Sequence, residues 1–281
     1  MKLKKLLASL LALALSVTAL ASCGKTEKTY ITLPEDFGSE EYAIGFRPGD
    51  VALAKEVQRI LDEMCTDGTA EEISNKWFGT NLIVNDRDYP RDAEVSADDT
   101  SLEDLKNRGE FILGLDDSFP PMGFRDEDNE IVGVDIDLAA EVCKRLGVEL
   151  KVQAIDWDSK ELELTSGKID CIWNGMTVTD DRIAAMFLSK PYLDNRQVVI
   201  VEEGSKISQV SDLAGKTVGL QKGSSAREAF DANAIASEVK DVVEYEDNVE
   251  AFLDLQAGRI DALLVDEVAG NYIIATYGKD K

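Results

Sequence analysis

The clearest pattern of apolar and polar positions along the chain is an internal repeat. The run LTSGKID at residues 164–170 returns as LQAGRID at residues 255–261. In each copy a glycine stands where a helix typically ends, and an apolar run follows, at residues 171–173 and 262–265. Each copy therefore predicts the end of a helix followed by a buried strand.

A second pair of apolar runs lies upstream of the two copies. The runs FILGLD at residues 111–116 and KTVGLQ at residues 216–221 each come shortly after a glycine and have the apolar content of strands. Helical spacing fills the gaps, for example at Leu138, Val142 and Leu146. The alternation predicts two similar α/β lobes, each a mostly parallel sheet flanked by helices.

Polar residues follow these predicted strands. In open α/β sheets, ligands bind beyond the carboxyl ends of the strands, where loops and helix N-termini face a crevice. The four strand ends are Asp116, Asn174 with Gly175, residues 221–225, and Asp266. Each aspartate could instead be a helix N-cap or a solvated loop carboxylate. Their equivalent positions in two lobes favour a binding site.

Composition narrows the kind of site. The 281 residues carry a formal net charge of −25 and include no histidine. The negative charge argues against nucleic acid or anionic lipid headgroups as partners. Without histidine, Ser-His and Cys-His catalytic pairs and His-containing zinc sites are excluded. Cys65, Cys143 and Cys171 lack metal-ligand spacing, so we interpret them as buried core residues, with one disulfide left open.

The start of the chain predicts export. Three lysines precede an apolar run over residues 6–21, which is shorter than the roughly 20 residues of a spanning helix. The run closes in LASC at residues 20–23, which resembles a bacterial lipobox. This resemblance implies that a signal peptide at residues 1–22 is removed and that Cys23 carries a lipid. The alternative is an ordinary cleavage site beside an unmodified cysteine.

Several motifs occur in order along the chain: GLDDSFPPMGF at residues 114–124, VGVDIDL at 132–138, IDW at 155–157, NGMTVTDDR at 174–182 and DLAGKTVGLQKGSS at 212–225. Together they resemble the polar amino-acid substrate-binding proteins of ABC importers, the family 3 solute-binding proteins. The resemblance covers nearly all of residues 30–281. It implies a type II periplasmic-binding-protein-like, two-lobed Venus-flytrap fold that binds a ligand and is not an enzyme, with no cofactor and no metal.

The resemblance also implies a ligand-binding set, with no catalytic residue: Asp116, Phe119, Trp157, Asn174, Gly175, Thr177, Arg182, Gln221, Ser224, Ser225 and Asp266. Arg182 would bind the α-carboxylate of an amino acid as a fork, helped by Thr177 and the backbone at Gly175. Asp266 would bind the α-ammonium, with the carbonyl of Gly175 as a second acceptor. Because these charges lie in different lobes, a bound amino acid would favour hinge closure.

Other members of the set would contact the rest of the ligand. Phe119 and Trp157 would sandwich its aliphatic part, and Asp116 would face its side chain. Ser224 and Ser225 would offer hydroxyls and amides at a helix start. The arginine of the set offsets only one of the two aspartates, so the charge favours cationic or neutral polar side chains over acidic ones.

The order of segments departs from the family. Residues 37–83, which begin with the run YAIGFRPGD at 42–50, resemble the family's C-terminal part. The chain stops at residue 281, where the family would continue into this segment. A circular permutation is the simplest account, because permutation is tolerated where termini lie close together on the surface. The alternative is that the segment completes a neighbouring molecule by swapping.

The expected organisation is a lipoprotein signal peptide at 1–22, a tether at 23–28, a lobe 2 strand at 29–36, lobe 1 residues at 37–83, a solvated linker at 84–100, lobe 1 at 101–193 and lobe 2 at 194–281. We expect hinge crossings at residues 35–42 and near 192–198. The protein is expected to be a monomer, lipid-anchored at the extracytoplasmic face of the cell membrane. Its expected partners are a free amino acid and ABC permease subunits, and nucleic acid is not among them. The alternatives on this scaffold are a ligand-sensing domain and a dehydratase-like enzyme for a small carboxylic acid, with Asp116 as general acid.

Overall fold

The apolar runs form the central strands of two five-stranded sheets in the computed structural model, which describes residues 28–278. The predicted signal peptide and the lipid-modified Cys23 lie outside the described residues. The strands are β1 (Tyr30–Tyr42), β2 (Gly45–Phe46), β3 (Glu110–Leu115), β4 (Ser118–Phe119), β5 (Gly123–Arg125), β6 (Ile131–Val132), β7 (Glu149–Ala154), β8 (Cys171–Ile172), β9 (Phe187–Leu188), β10 (Leu193–Glu202), β11 (Thr217–Gln221), β12 (Asp241–Tyr245) and β13 (Ala262–Asp266).

Helices cover the faces of these sheets. They are α1 (Val51–Asp67), α2 (Thr69–Phe78), α3 (Ser101–Arg108), α4 (Val134–Leu146), α5 (Lys160–Thr165), α6 (Asp180–Ala185), α7 (Ser225–Asp231), α8 (Asn248–Gln256) and α9 (Glu267–Tyr277), with short 3₁₀ turns at Trp157–Ser159, Val210–Leu213 and Ala234–Ser237. In the described part of the chain, no helix has the length and apolar character needed to cross a bilayer.

Each sheet belongs to one lobe. The sheet of lobe 1 has the strand order β7-β3-β8-β2-β9, and the sheet of lobe 2 has the order β1-β10-β13-β11-β12. Strands β7, β3 and β8 are parallel, as are β13, β11 and β12. The other two strands of each sheet form antiparallel pairs. The α/β class and the two lobes are confirmed, and each sheet is mixed, with a parallel half.

The repeat and the helical stripes form the elements they predict. Gly167 and Gly258 have φ angles of +75° and +71°, in the left-handed region that ends a helix. The apolar positions of α1, from Leu53 to Met64, are buried on one face. Burying each side chain of this size contributes roughly 1.5–3 kcal/mol. Cys143 and Cys171 are also buried, and the three described cysteines are free thiols.

A two-stranded ribbon connects the lobes. Strand β1 runs antiparallel to β10, with Glu40 opposite Asn195 and Tyr42 opposite Leu193. The two expected hinge crossings therefore lie side by side. After β1 the chain enters lobe 1, where β2 lies between β8 and β9, and α1 packs against α2, α3 and α4.

The segment at residues 84–100 forms no helix or strand, yet it does not behave as a purely solvated linker. The Arg87 guanidinium contacts Glu41 on β1 at 2.9 Å and Asp194 on β10 at 2.9 Å. Tyr89 is half-buried. The absence of an apolar period predicted the irregular backbone but not this ionic contact with the hinge ribbon.

The two described ends of the chain meet at one residue of α8, through its backbone carbonyl and its side chain. Lys28 Nζ donates to the carbonyl oxygen of Gln256 at 3.2 Å, and Gln256 Nε2 donates to the carbonyl oxygen of Tyr277 at 2.7 Å. Both ends are therefore on lobe 2, within the reach of a short linker.

A chain that joins residue 278 to residue 28 through a short flexible linker, with new ends opened between the exposed residues 96 and 97, should fold to the same structure. We expect its thermal unfolding midpoint to lie within about 4 °C of the original, which corresponds to about 1 kcal/mol for this size. As a control, new ends opened inside β11 should abolish cooperative unfolding. Loss of cooperative unfolding in the first variant would contradict the close approach of the ends.

Candidate functional site

One cavity between the lobes is lined by all eleven residues of the expected ligand-binding set. With the lobes closed on each other, its free volume is only about 10 Å³, roughly what one water molecule needs. Phe119 and Trp157 are buried in its wall, with 5% and 9% of their surfaces exposed. The structure brings the whole expected set together, while its role in binding stays a prediction.

Arg182 is a buried cation at one end of the cavity. It lies in the first turn of α6, where Thr179 accepts a hydrogen bond from its backbone N–H. Its Nη1 donates to the carbonyl oxygen of Thr177 at 2.8 Å, and burial lowers the pKa of the guanidinium. Within residues 28–278 no carboxylate forms a salt bridge with it. A buried charge without a counter-charge is costly, so an anion is its natural partner.

Asp266 supplies negative charge on the other lobe. It occupies the N-cap position of α9 but makes no side-chain capping bond. Its Oδ1 instead accepts hydrogen bonds from Tyr42 Oη at 2.7 Å and from Asn195 Nδ2 at 2.8 Å. A third bond comes from Gln197 Nε2 at 3.1 Å. The hinge ribbon thus fixes this carboxylate at the cavity wall.

Asp116 joins the two lobes directly. Its Oδ1 accepts from the backbone N–H of Ser118 at 2.9 Å, as a loop carboxylate would. Its Oδ2, however, accepts from Gln221 Nε2 of lobe 2 at 2.6 Å. Burial raises the pKa of Asp116. Beside it, Asn174 Nδ2 is buried and has no hydrogen-bond partner within the described chain, which leaves a donor for a ligand.

The loop at Gly175 is held from behind by Asp135. The Gly175 N–H donates to Asp135 Oδ2 at 2.8 Å, and Tyr192 Oη donates to Oδ1 at 2.8 Å. Burial raises the pKa of Asp135 to about 7. Gly175 has φ +56°, and a Cβ there would lie 2.9 Å from the Phe119 ring. The Gly175 N–H is already bonded to Asp135, so in this arrangement it does not donate to a ligand carboxylate. The Gly175 carbonyl oxygen could still accept a hydrogen bond from a ligand ammonium.

The serine hydroxyls at the start of α7 are also engaged. Ser224 Oγ donates to the carbonyl oxygen of Gln221 at 2.7 Å, so its proton is committed within the loop. Ser225 Oγ lies 2.9 Å from Thr177 Oγ1 across the cleft. In this closed arrangement both hydroxyls have partners within the protein, and Ser225 bridges the lobes.

Sequence reasoning missed Lys160. This lysine is 5% exposed, and its Nζ donates to the carbonyl oxygens of Trp157 at 3.1 Å and of Gly223, in lobe 2, at 3.0 Å. It also lies 4.9 Å from the centre of the Trp157 ring. Burial and the charge of Arg182 lower the pKa of Lys160 to about 8. The three-residue spacing from Trp157 is the signal that places both side chains on one helical turn.

Glu40 on β1 was missed as well. Its Oε1 accepts from Asn195 Nδ2 at 2.5 Å and from Gln197 Nε2 at 3.0 Å, and its Oε2 accepts from Ser225 Oγ at 3.1 Å. The spacing of two residues from Tyr42 puts both side chains on one face of the strand. This spacing is visible in the sequence. Only the pairing of β1 with β10 shows that the face carrying Glu40 and Tyr42 packs against Asn195 and Gln197.

Comparisons with known proteins agree with this geometry. The model of the family described as bacterial extracellular solute-binding proteins, family 3, matches residues 111–253. The L-cystine-binding protein TcyJ of Escherichia coli (strain K12) is 34% identical over 175 residues, which cover 62% of this chain and 65% of that protein. The lysine/arginine/ornithine-binding periplasmic protein of Escherichia coli (strain K12) is 36% identical over 171 residues, which cover 60% and 65%.

A solved structure is similar in fold as well as in sequence. It is an ABC uptake transporter substrate binding protein from Streptococcus pneumoniae with bound histidine, with 39% identity and a TM-score of 0.63. The match covers 66% of this chain and 76% of that one. The chain spans slightly less than two thirds of the length of the two curated relatives, at 65% of each.

Replacing Lys160 by Met keeps an unbranched side chain but removes the ammonium group that bridges the lobes. Loss of one charged hydrogen bond, about 1.5 kcal/mol, should shift the balance toward the open form roughly tenfold. We expect a larger radius of gyration by small-angle X-ray scattering of the ligand-free protein. Lys168→Met is the matched control, because Lys168 is 59% exposed and forms a salt bridge with Glu163 within its own lobe. Equal radii for both variants would show that Lys160 does not hold the lobes together.

Proposed function

Because the chain belongs to the bacterial extracellular solute-binding proteins of family 3, we propose that it captures a free polar amino acid between its two lobes. The main support is that one cavity holds two buried groups of opposite charge, Arg182 and Asp266, which do not form a salt bridge with each other. An amino acid carries one charge of each sign. Its carboxylate would bind Arg182 and its ammonium would bind Asp266, so both buried charges gain a partner.

The mechanism is hinge closure, as known for periplasmic binding proteins. Arg182 belongs to lobe 1 and Asp266 to lobe 2, so a ligand touches both only when the cleft is shut. A ligand shifts an equilibrium only by its differential affinity for the two forms. The contacts that span the cleft therefore convert binding into closure about the β1-β10 ribbon, and closure is the state that a partner can recognise.

The class of ligand follows from the relatives and from the cavity. The curated relatives named above bind cystine, or lysine, arginine and ornithine, and the similar solved structure holds histidine. Asp116 is placed to meet a polar or cationic ligand side chain, with Asn174 Nδ2 as an additional donor. We propose a cationic or neutral polar amino acid rather than an acidic one.

We further propose that the ligand is delivered to the permease of an ABC importer by a protein anchored through a lipid on Cys23, at the extracytoplasmic face of the membrane. The support is the lipobox-like run before Cys23 and the similarity to the substrate binding protein of an ABC uptake transporter from Streptococcus pneumoniae. A tether over residues 24–28 would span at most about 15–18 Å at full extension. Lobe 2 would therefore lie close to the membrane.

The segment order is also part of the proposal. Residues 45–78 complete the sheet and helices of lobe 1, although they precede the region matched by the family model. The described ends meet at Gln256. Both features support a circularly permuted monomer, in which each lobe is completed by its own chain.

The enzyme alternative needs Asp116 as a general acid. Both of its carboxylate oxygens accept hydrogen bonds, from Ser118 and Gln221. Hydrogen bonds of this kind favour the ionised carboxylate and oppose the effect of burial. The arrangement supports a binding role for this residue in preference to proton donation.

Replacing Arg182 by Ala should abolish amino-acid binding. Two charged hydrogen bonds to the ligand carboxylate, at about 1.5–3 kcal/mol each, correspond to a loss of at least about 100-fold in affinity. Isothermal titration calorimetry measures the loss, and thermal unfolding shows whether the fold is intact. Arg125→Ala is the control, because this arginine is 41% exposed on the same lobe and pairs with Asp117. Near-normal affinity of the Arg182→Ala variant would remove the carboxylate assignment.

The charge of the cavity predicts which amino acids stabilise the protein. A thermal-shift panel of the twenty amino acids plus ornithine, citrulline and cystine should show the largest shifts for cationic or neutral polar side chains. A ligand present at 100 times its Kd stabilises the folded state by about 2.7 kcal/mol, which is a readily measured shift. Selective stabilisation by glutamate or aspartate would contradict the charge argument.

A further inference from the structure

Two carboxylates meet where the hinge ribbon passes the cavity. Asn195 Nδ2 donates to Glu40 Oε1 at 2.5 Å and to Asp266 Oδ1 at 2.8 Å. Gln197 Nε2 likewise donates to both, at 3.0 and 3.1 Å. The two side-chain amides of β10 therefore hold one carboxyl oxygen of Glu40 and one of Asp266 close to each other. We call Glu40 and Asp266 the hinge carboxyl pair.

The two members of the pair face different compartments. Asp266 lines the cavity between the lobes. Glu40 lines a separate, open pocket on the outer side of the hinge, together with Glu41 and Asp194. A proton on Glu40 can therefore exchange with solvent from the outer pocket while the lobes remain shut.

No cation neutralises the pair within residues 28–278, since none of the salt bridges there includes either member. The charged and titratable groups around it come from every neighbouring element: Tyr42 and Glu41 on β1, Asp194 and Arg196 on β10, Arg182 on α6, and Glu267 on α9. The outer acids are already partnered, because Arg87 binds Glu41 and Asp194, and Arg196 binds Glu267. The pair itself forms no salt bridge in the described part of the chain, and the charge of Arg182 acts on both members only from a distance.

We propose that Glu40 is the second carboxylate of the ammonium-binding end of the cavity, and that the hinge carboxyl pair holds one proton which the ligand's ammonium replaces. The inference rests on the proposed function and deepens it. Asp266 is buried and Glu40 is partly exposed; two carboxyls held this close repel each other when both are ionised, which favours a proton on one of them. In the empty site the pair carries one proton and a charge of −1. On binding, the proton leaves Glu40 for solvent through the outer pocket, and the ligand cation offsets the charge it leaves behind.

The electrostatics give the direction of the pH dependence. Burial and the adjacent charge of Asp266 raise the pKa of Glu40 to about 9. The empty protein therefore holds the proton at pH 7, and a bound cation lowers this pKa. Ligand affinity should rise with pH up to about 9, because less proton remains to be displaced. A carboxylic acid without an ammonium group would not displace the proton, which makes the pair a determinant of specificity for amines.

The test measures proton release in the wild-type chain. L-arginine and L-glutamine serve as probes, because neither side chain titrates between pH 6 and 8. Calorimetric titrations at pH 7 in two buffers of different ionisation enthalpy should show about one proton released per ligand bound. Affinity should rise about tenfold per pH unit from pH 6.5 to 8, the slope for one linked proton. Binding without proton release would overturn the inference and leave amino-acid capture standing.

Two matched variants locate the proton. Glu40→Gln should bind with no proton release and with affinity independent of pH over this range, whereas Glu71→Gln, changed at an exposed glutamate of α2, should behave as wild type. In the ligand-free protein, carboxyl ¹³C NMR should show one glutamate titrating near pH 9, and its absence would overturn the inference even if Glu40→Gln fails to fold. A folded wild-type chain that binds no amino acid of the panel would overturn the proposed function as well.

Discussion

The cavity depends on one constraint: the buried Arg182 and the buried Asp266 do not form a salt bridge with each other. If Arg182 and Asp266 formed a salt bridge across the cleft, each would neutralise the other, and no charge would remain to select a ligand. The fold prevents this by attaching them to different lobes and by holding Asp266 with neutral donors of the hinge ribbon. Burial of both charges is unfavourable as long as neither has a counter-charge. A molecule that carries both a positive and a negative charge removes this cost, and the proposed selectivity rests on that difference.

Much of the site could be predicted because the signals are local in the chain. An apolar strand that ends in a polar residue, repeated in two lobes, is enough to find Asp116 and Asp266, and ordered motifs supply the other members of the set. Lys160 and Glu40 could not be found this way. Their burial depends on partners far away in sequence, Gly223 for the lysine and Asn195 for the glutamate, and a single-sequence pattern contains no information on such pairings. The same reason explains why the hydrogen-bond partners of Asp266 on the hinge ribbon needed the structure.

These two missed residues change the electrostatic description of the cavity. Counting one arginine against two aspartates gives a net charge of −1, and adding Lys160 and Glu40 in their ionised forms leaves that sum unchanged. What changes is the distribution. Positive charge gathers near Trp157 and Arg182, and negative charge gathers at the hinge. A dipolar ligand is oriented by such a gradient before any hydrogen bond forms, because a field acts over a longer distance than a contact.

The ionic contacts of Arg87 have a mechanical consequence. This arginine, from the segment at 84–100, forms salt bridges with both Glu41 and Asp194, where the two hinge strands leave lobe 1. The irregular pairing of the ribbon lies further on, between Thr32 and Ser39. Irregular strand pairing bends more easily than regular pairing held by salt bridges. For the proposed closure, this favours bending on the lobe 2 side of the ribbon, with lobe 1 moving as a rigid body.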